Sequence, residues 1–162
     1  GNDRPEILRE LLFHEHMLPG FNDSGAHLIN LAFFDGNLLT LQLAARESQA
    51  AVAQAVRRLT REPAEFFGVD AGRIDPGSQA DLVLIDPAAL ARYDTDANRR
   101  MIYREIFGHA QLVNRSDGVV SSVFIAGEEV WDGRVCTPTL GAQRLGRPLT
   151  STRTPAAHAQ LH

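Results

Sequence analysis

The apolar positions of this chain change their period about halfway along it. After Pro5 and Glu6, which suit a helical first turn, Ile7, Leu8, Leu11 and Leu12 recur at helical spacing, so residues 5–16 read as a short amphipathic helix. An apolar run, Met17 to Asn22, then breaks at once into Asp23-Ser24-Gly25. Leu28 to Leu43 is apolar apart from Asp35-Gly36-Asn37, a turn signal, and Thr40–Ala45 reads as a short helix. Ser48 suits the N-cap of the next helix, in which Val52, Ala55, Val56 and Leu59 form an apolar stripe while Gln54, Arg57 and Arg58 face solvent. Glu62-Pro63 interrupts that helix, and a last turn through Phe66 and Phe67 stops at Gly68.

Beyond Gly68 the pattern belongs to strands. Asp75-Pro76-Gly77-Ser78 is a tight turn, and Ala80–Asp86 is a strand whose continuous apolar centre predicts burial on both faces, ended by Pro87. Residues 88–105 read as a long polar connection with a helical turn. Val119–Ala126 and Glu129–Trp131, the second reaching to about Val135, are two further strands joined by a hairpin at Ala126-Gly127-Glu128, and Val69–Ile74 is another. The division is therefore 1–67, 68–150 and a tail, 151–162, with little intrinsic order.

Composition adds mainly exclusions. A chain of 162 residues with 44% hydrophobic and 22% charged residues is an ordinary globular one. Its net charge of −4 and the lack of a basic stripe argue against nucleic acid as a partner. No apolar segment approaches the roughly 20 residues that cross a bilayer, and the N-terminus lacks the shape of a signal peptide, so a cytoplasmic protein without a membrane partner is expected. A lone cysteine, Cys136, reads as structural or incidental.

Candidate chemistry centres on Asp23, a carboxylate where an apolar run turns into a loop, which is where barrel enzymes keep catalytic groups. Taken alone, an Asp before Ser and Gly reads first as a turn residue bonded to local backbone. His14-Glu15-His16 has the look of a metal-binding pair, but seven extended residues to Asp23 span about 23 Å, too far for one shared ion. Those histidines are read as solvent-facing residues at a helix end.

The segment from Arg57-Arg58-Leu59-Thr60-Arg61-Glu62-Pro63-Ala64 through Phe67-Gly68-Val69 to Gly72-Arg73-Ile74-Asp75-Pro76-Gly77-Ser78-Gln79-Ala80-Asp81-Leu82-Val83 resembles the C-terminal signature of the amidohydrolase superfamily. Val123–Gly133 is similar to the closing hairpin of the same proteins. The segment Gly-Phe-Asn-Asp-Ser-Gly-Ala-His, residues 20–27, most resembles the N-acyl-D-amino-acid deacylase branch.

This resemblance implies an α/β fold: the C-terminal fragment of a TIM-like (β/α)8 barrel in residues 1–67, with its last strand and helices, followed by part of a small β-sandwich domain in 68–150. It implies a zinc-dependent hydrolase acting on N-acyl-D-amino acids, with Asp23 after the eighth barrel strand as the catalytic carboxylate. Such a residue takes a proton from the activated water and returns it to the leaving amine, because an amide nitrogen leaves poorly until protonated. Ser24 and His27 become candidate substrate-binding residues, with turn formation and backbone bonding as their alternatives, and Asn22 flanks the carboxylate. Asp81 is implied to be structural, Glu128 and Glu129 belong to the hairpin, and Trp131 packs. The family's other metal ligands lie upstream of the matched region, so Asp23 would touch metal only together with ligands missing from this chain. The expectation is zinc in a full-length parent, none in this chain, and no turnover by the fragment. A non-catalytic β-sandwich module for interaction or oligomerisation is the alternative, and unpaired strand edges predict a homo-oligomer.

Overall fold

The computed structural model describes residues 4–19, 29–31, 35–114 and 116–152 of the chain. They form a mixed α/β structure in which helices precede and separate two small sheets. Helix α1 (Pro5–Phe13) is followed by strand β1 (Asn30–Leu31), helices α2 (Gly36–Ala45), α3 (Gln49–Leu59) and α4 (Arg61–Phe67), and strand β2 (Leu82–Ile85). Then come α5 (Pro87–Arg92), α6 (Thr95–Asn98), β3 (Arg99–Arg104), β4 (His109–Asn114), β5 (Val120–Ile125) and β6 (Glu128–Trp131).

The helical stretch follows its local signals closely. Ser48 caps α3, its side-chain oxygen accepting from the Ala51 N–H at 3.1 Å. The expected interruption at Glu62-Pro63 occurs slightly earlier, at Thr60, which leaves helical geometry with φ −127° and ψ −74°. Pro63 explains the shift: in a continuous helix its ring would meet the Leu59 carbonyl, whereas in the first turn of α4 it has no helical bond to lose. Gly68 ends α4 in the left-handed region at φ 67°, and Val69 N–H reaches back to the Ala64 carbonyl at 2.9 Å. Helix α2 begins four residues before the expected Thr40, because Asp35-Gly36-Asn37 starts the helix instead of turning the chain away.

Val69–Ile74 is not a strand. Gly72 sits at φ +76°, and a Cβ placed on it would lie 2.5 Å from the Thr60 carbonyl oxygen and 2.9 Å from Arg61 Cα. The chain therefore folds back onto the α3–α4 break, an approach closed to any residue with a side chain. The turn at 75–78 forms as expected, with Ser78 N–H donating to the Asp75 carbonyl at 3.0 Å and Gly77 at φ 86°.

One sheet runs β2-β5-β6 and is antiparallel throughout. Its β5–β6 hairpin turns through Ala126 (φ 53°) and Gly127 (φ 86°), the left-handed pair that a two-residue loop requires. The Asp81 carboxylate accepts from Ala126 N–H at 2.8 Å, and the Ala80 carbonyl accepts from Gly127 N–H at 2.9 Å, so the residues before β2 hold the hairpin turn. Strand β2 does not have the two covered faces its sequence predicts. It lies at the edge of the sheet with β5 as its neighbour, and Val83 is 57% exposed.

The other sheet runs β1-β4-β3, with β1 parallel and β3 antiparallel to β4. In the stretch 88–105, read as a polar connection with a helical turn, α5 and α6 supply the helical part, while β3, and β4 just beyond it, are strands that the pattern did not predict. Arginines at 99, 100 and 104 interrupt the apolar run of β3, and the strand shows most of its residues to solvent. Between the sheets and the helices lies a core of Leu41, Ala44, Ala55, Leu90, Tyr93 and Val119, drawn from both sides of residue 68. Buried Gln42 joins its layers by donating to the carbonyls of Leu90 (2.9 Å) and Tyr93 (2.8 Å) at the end of α5. Among the described residues no helix is long and apolar enough to cross a membrane.

Gly72→Ala is expected to destabilise the fold by about 2–4 kcal/mol, since the methyl group meets backbone and the positive φ adds strain. Gly36→Ala, at a helical position with nothing within 4 Å of the new methyl, should be neutral or stabilising. Urea denaturation of both variants checks the pair.

Candidate functional site

Arg58 is where the structure departs most from the sequence reading, since it is 4% exposed rather than solvent-facing. Its Nε donates to the Leu12 carbonyl at 2.6 Å, and Nη2 donates to the His14 carbonyl at 2.8 Å and to that of Met17. Nη1 meets Glu62 Oε2 at 3.1 Å. A guanidinium tolerates burial when its fork of donors is matched in this way. The result is that the end of α1 and the chain approaching residue 19 are fixed to α3. Val56, expected in the apolar stripe, is exposed instead, and the buried face of α3 runs through Ala55 and Arg58.

A second cluster holds the chain further on. The Ile29 carbonyl accepts from Leu112 N–H at 2.7 Å, and Asn30 and Leu31 pair with Leu112 and Val113. Asp35 then lies buried at the start of α2. Its Oδ2 accepts from Tyr93 Oη (2.8 Å), Thr95 Oγ1 (2.7 Å) and Asn114 Nδ2 (2.9 Å). Tyr93 Oη also lies 2.7 Å from Asn114 Oδ1, so its single proton faces two acceptors. Burial first, then the hydrogen bond and charge of Asp35, push the Tyr93 phenol well above its ordinary range. At neutral pH it is a fixed donor and not a base.

Asp23, Ser24 and His27, together with Asn22, lie outside the described residues. What the structure shows lies on either side of their segment: Arg58 holds the chain up to Met17, Ile29–Leu31 are held against β4, and Asp35 is held by its own cluster. Neither Arg58 nor Asp35 was singled out by sequence reasoning. Arg58 looked like one of two arginines on a polar face, and Asp35 like a turn residue before glycine.

The remaining candidates fall into structural places. His14 and His16 are exposed just after α1, their ring centroids 5.6 Å apart, with His14 Nδ1 accepting from the His16 N–H. Asp81 is exposed and structural; hydrogen bonds from the Gln79 amide and then from Ala126 N–H hold its carboxyl below the usual range. Glu128 and Glu129 open β6, Trp131 is half-buried with Nε1 donating to the Val120 carbonyl at 3.3 Å, and Cys136 is an exposed free thiol. A cleft of about 220 Å³ lined by Asn114, Ser116, Asp117, Val120, Val123 and Trp131 lies between the end of β4 and the β5–β6 hairpin. Among the described residues no three His, Cys, Asp or Glu side chains gather as a metal site.

Residues 21–130 match the model of a family described as the amidohydrolase family. Three mycobacterial proteins, one from Mycobacterium bovis and two from strains of Mycobacterium tuberculosis, each described as uncharacterized, are 35% identical to the chain over 138 residues. That alignment covers 82% of this chain and 22% of each relative, so the chain spans about a fifth of their length. No solved structure matches it.

Arg58→Met should cost roughly 1–3 kcal/mol by leaving carbonyls without their donors, and should release the chain from residue 12 to 19 before the rest unfolds. Limited chymotrypsin digestion reads this as faster cleavage near Phe13 and Met17. Tyr93→Phe tests the second cluster. Because the folded phenol titrates above its ordinary value near 10, its stabilisation is complete below about pH 10 and is lost as pH rises toward the folded value. The parent chain should therefore lose stability above about pH 10 by a component that Tyr93→Phe lacks, measured by thermal unfolding across alkaline pH.

Proposed function

Because this chain belongs to the amidohydrolase family, we propose that it is the C-terminal portion of a zinc-dependent hydrolase that cleaves the amide bond of N-acyl-D-amino acids, with Asp23 as its catalytic carboxylate. In this reading residues 1–67 contribute the last strand and helices of a TIM-like barrel, and residues 68–150 contribute part of a β-sandwich. The observation that carries it is the framing of the Gly20–Leu28 segment. A buried guanidinium on one side, and a strand pairing with a buried carboxylate on the other, fix both ends of the short stretch in which Asp23 stands.

In this reading the other zinc ligands belong to the rest of a longer protein, where the ion would supply water activation and Asp23 would touch it only together with them. The part of this chain is proton transfer: Asp23 accepts a proton from the attacking water and delivers it to the departing amine nitrogen. Ser24 and His27 stand beside it as substrate-binding residues.

A second reading, a non-catalytic module that assembles through its sheet, is favoured by one feature. Strand β2 presents Leu82-Val83-Leu84-Ile85 at an open edge without a charge to discourage pairing, and both Val83 and Leu84 are exposed. A homodimer joined along β2 follows from it.

In the full-length enzyme, Asp23→Asn should lower turnover of an N-acyl-D-amino acid at least about a hundredfold while zinc content is kept, because the amide holds its shape but takes no proton. Elemental analysis beside the rate assay checks both halves, and near-normal turnover removes Asp23 from the mechanism. The isolated chain should bind no stoichiometric zinc. Light scattering at low micromolar concentration should give a dimer mass that Val83→Lys converts to a monomer, whereas a monomer mass for the unaltered chain rejects the β2 dimer.

A further inference from the structure

The free edge of β3 differs from that of β2, and its backbone direction follows from the neighbouring strand. Leu112 N–H is spent on the Ile29 carbonyl, on the β1 side of β4. Leu112 therefore points its backbone groups away from β3, and its partner across the ladder, Met101, forms a pair without mutual hydrogen bonds. By the same alternation Tyr103, opposite Ala110, also turns its N–H and C=O outward. Among the described residues no hydrogen-bond partner meets these outward groups of Met101 and Tyr103.

The side chains around that edge are apolar and basic together. Met101 and Tyr103, on one face, are 60% and 64% exposed, and at the tip of the hairpin Ile106 reaches 82%. Arg99, Arg100 and Arg104 lie on the same strand, against one acidic residue, Glu105, in the whole hairpin. Arg99 meets Asp96 at 2.9 Å, while neither Arg100 nor Arg104 has an ion-pair partner among the described residues. Charged edges are how sheets discourage pairing with themselves, and a second copy would bring three more arginines to this one. An acidic strand meets no such penalty.

We propose that the β3 edge is a strand-addition site for an extended acidic segment of a partner protein, bound by the backbone of Met101 and Tyr103 and selected by Arg100 and Arg104. The outward N–H and C=O groups set the register, exposed Met101 and Tyr103 take apolar side chains at alternate positions of the incoming strand, and the arginines match its carboxylates. This site is independent of the chemistry assigned to Asp23.

The test uses the whole chain and a fluorescent synthetic peptide of about eight residues alternating glutamate and valine, a typical strand length. Anisotropy should show saturable binding that weakens with added salt and is at least about tenfold tighter than for the peptide alternating lysine and valine. Met101→Pro deletes an outward donor that the β4 ladder does not use, so it should abolish binding with the fold retained by circular dichroism. The double variant Arg100→Glu, Arg104→Glu keeps every backbone group and should reverse the preference toward the lysine peptide. Equal affinity for the two peptides, or binding unchanged in either variant, overturns the proposal. A drop in oligomer mass on Met101→Pro also overturns it, because a second copy would then be the occupant.

Discussion

One buried carboxylate joins three parts of this chain that are far apart in sequence. Asp35 begins α2, Tyr93 and Thr95 flank the start of α6, and Asn114 ends β4, and all three partners direct a donor to the same oxygen. A carboxylate out of water is costly unless such donors replace its hydration, and charge-assisted bonds are roughly twice as strong as neutral ones. The requirement acts in both directions. Tyr93 can belong to the core because its hydroxyl has a partner, and the core residues around it, Leu41, Ala44, Leu90 and Val119, pack where they do because Tyr93 is held there. Gln42 reinforces the joint about two turns further along α2 by holding the Leu90 and Tyr93 carbonyls.

Arg58 does the corresponding work for the beginning of the chain. Helix α1 buries no residue fully, and its apolar hold on the core is Phe13, partly buried at its C-terminal end. Four acceptors on one guanidinium, and the bidentate pair from Arg9 to Glu47, take the place of a hydrophobic seam. Polar anchors fix direction more sharply than apolar contact does, because they lose strength steeply with distance and angle.

The apolar surface of the chain fits its membership of a family whose curated relatives are much longer. Among the described residues nine hydrophobic residues are buried and nineteen large ones are exposed, so the apolar residues that could be covered outnumber those that are. The two open strand edges meet this surplus differently. Strand β2 is uncharged and self-complementary, whereas β3 is guarded by arginine and selects for opposite charge.

The sequence by itself determined what short-range chemistry decides: the Ser48 cap, the Gly68 stop, the turn at 75–78, the hairpin at Ala126-Gly127, and the family carried by the run from Arg57 to Val83. Each depends on a residue type needed within a few positions, a capping hydroxyl or a glycine in left-handed geometry. Tertiary structure decided the rest. Strand β3 was hidden because an edge strand flanked by arginines lacks a clean alternation, β4 because His109, Gln111 and Asn114 break its apolar run although Gln111 is buried, and β2 read as buried because its apolar run does not reveal how many neighbours it finds. Arg58 and Asp35 were hidden for a different reason. A charged residue is buried when distant backbone and side chains converge to replace its water, and that convergence, from Leu12, His14 and Met17 onto one and from Tyr93, Thr95 and Asn114 onto the other, exists only once the chain has folded.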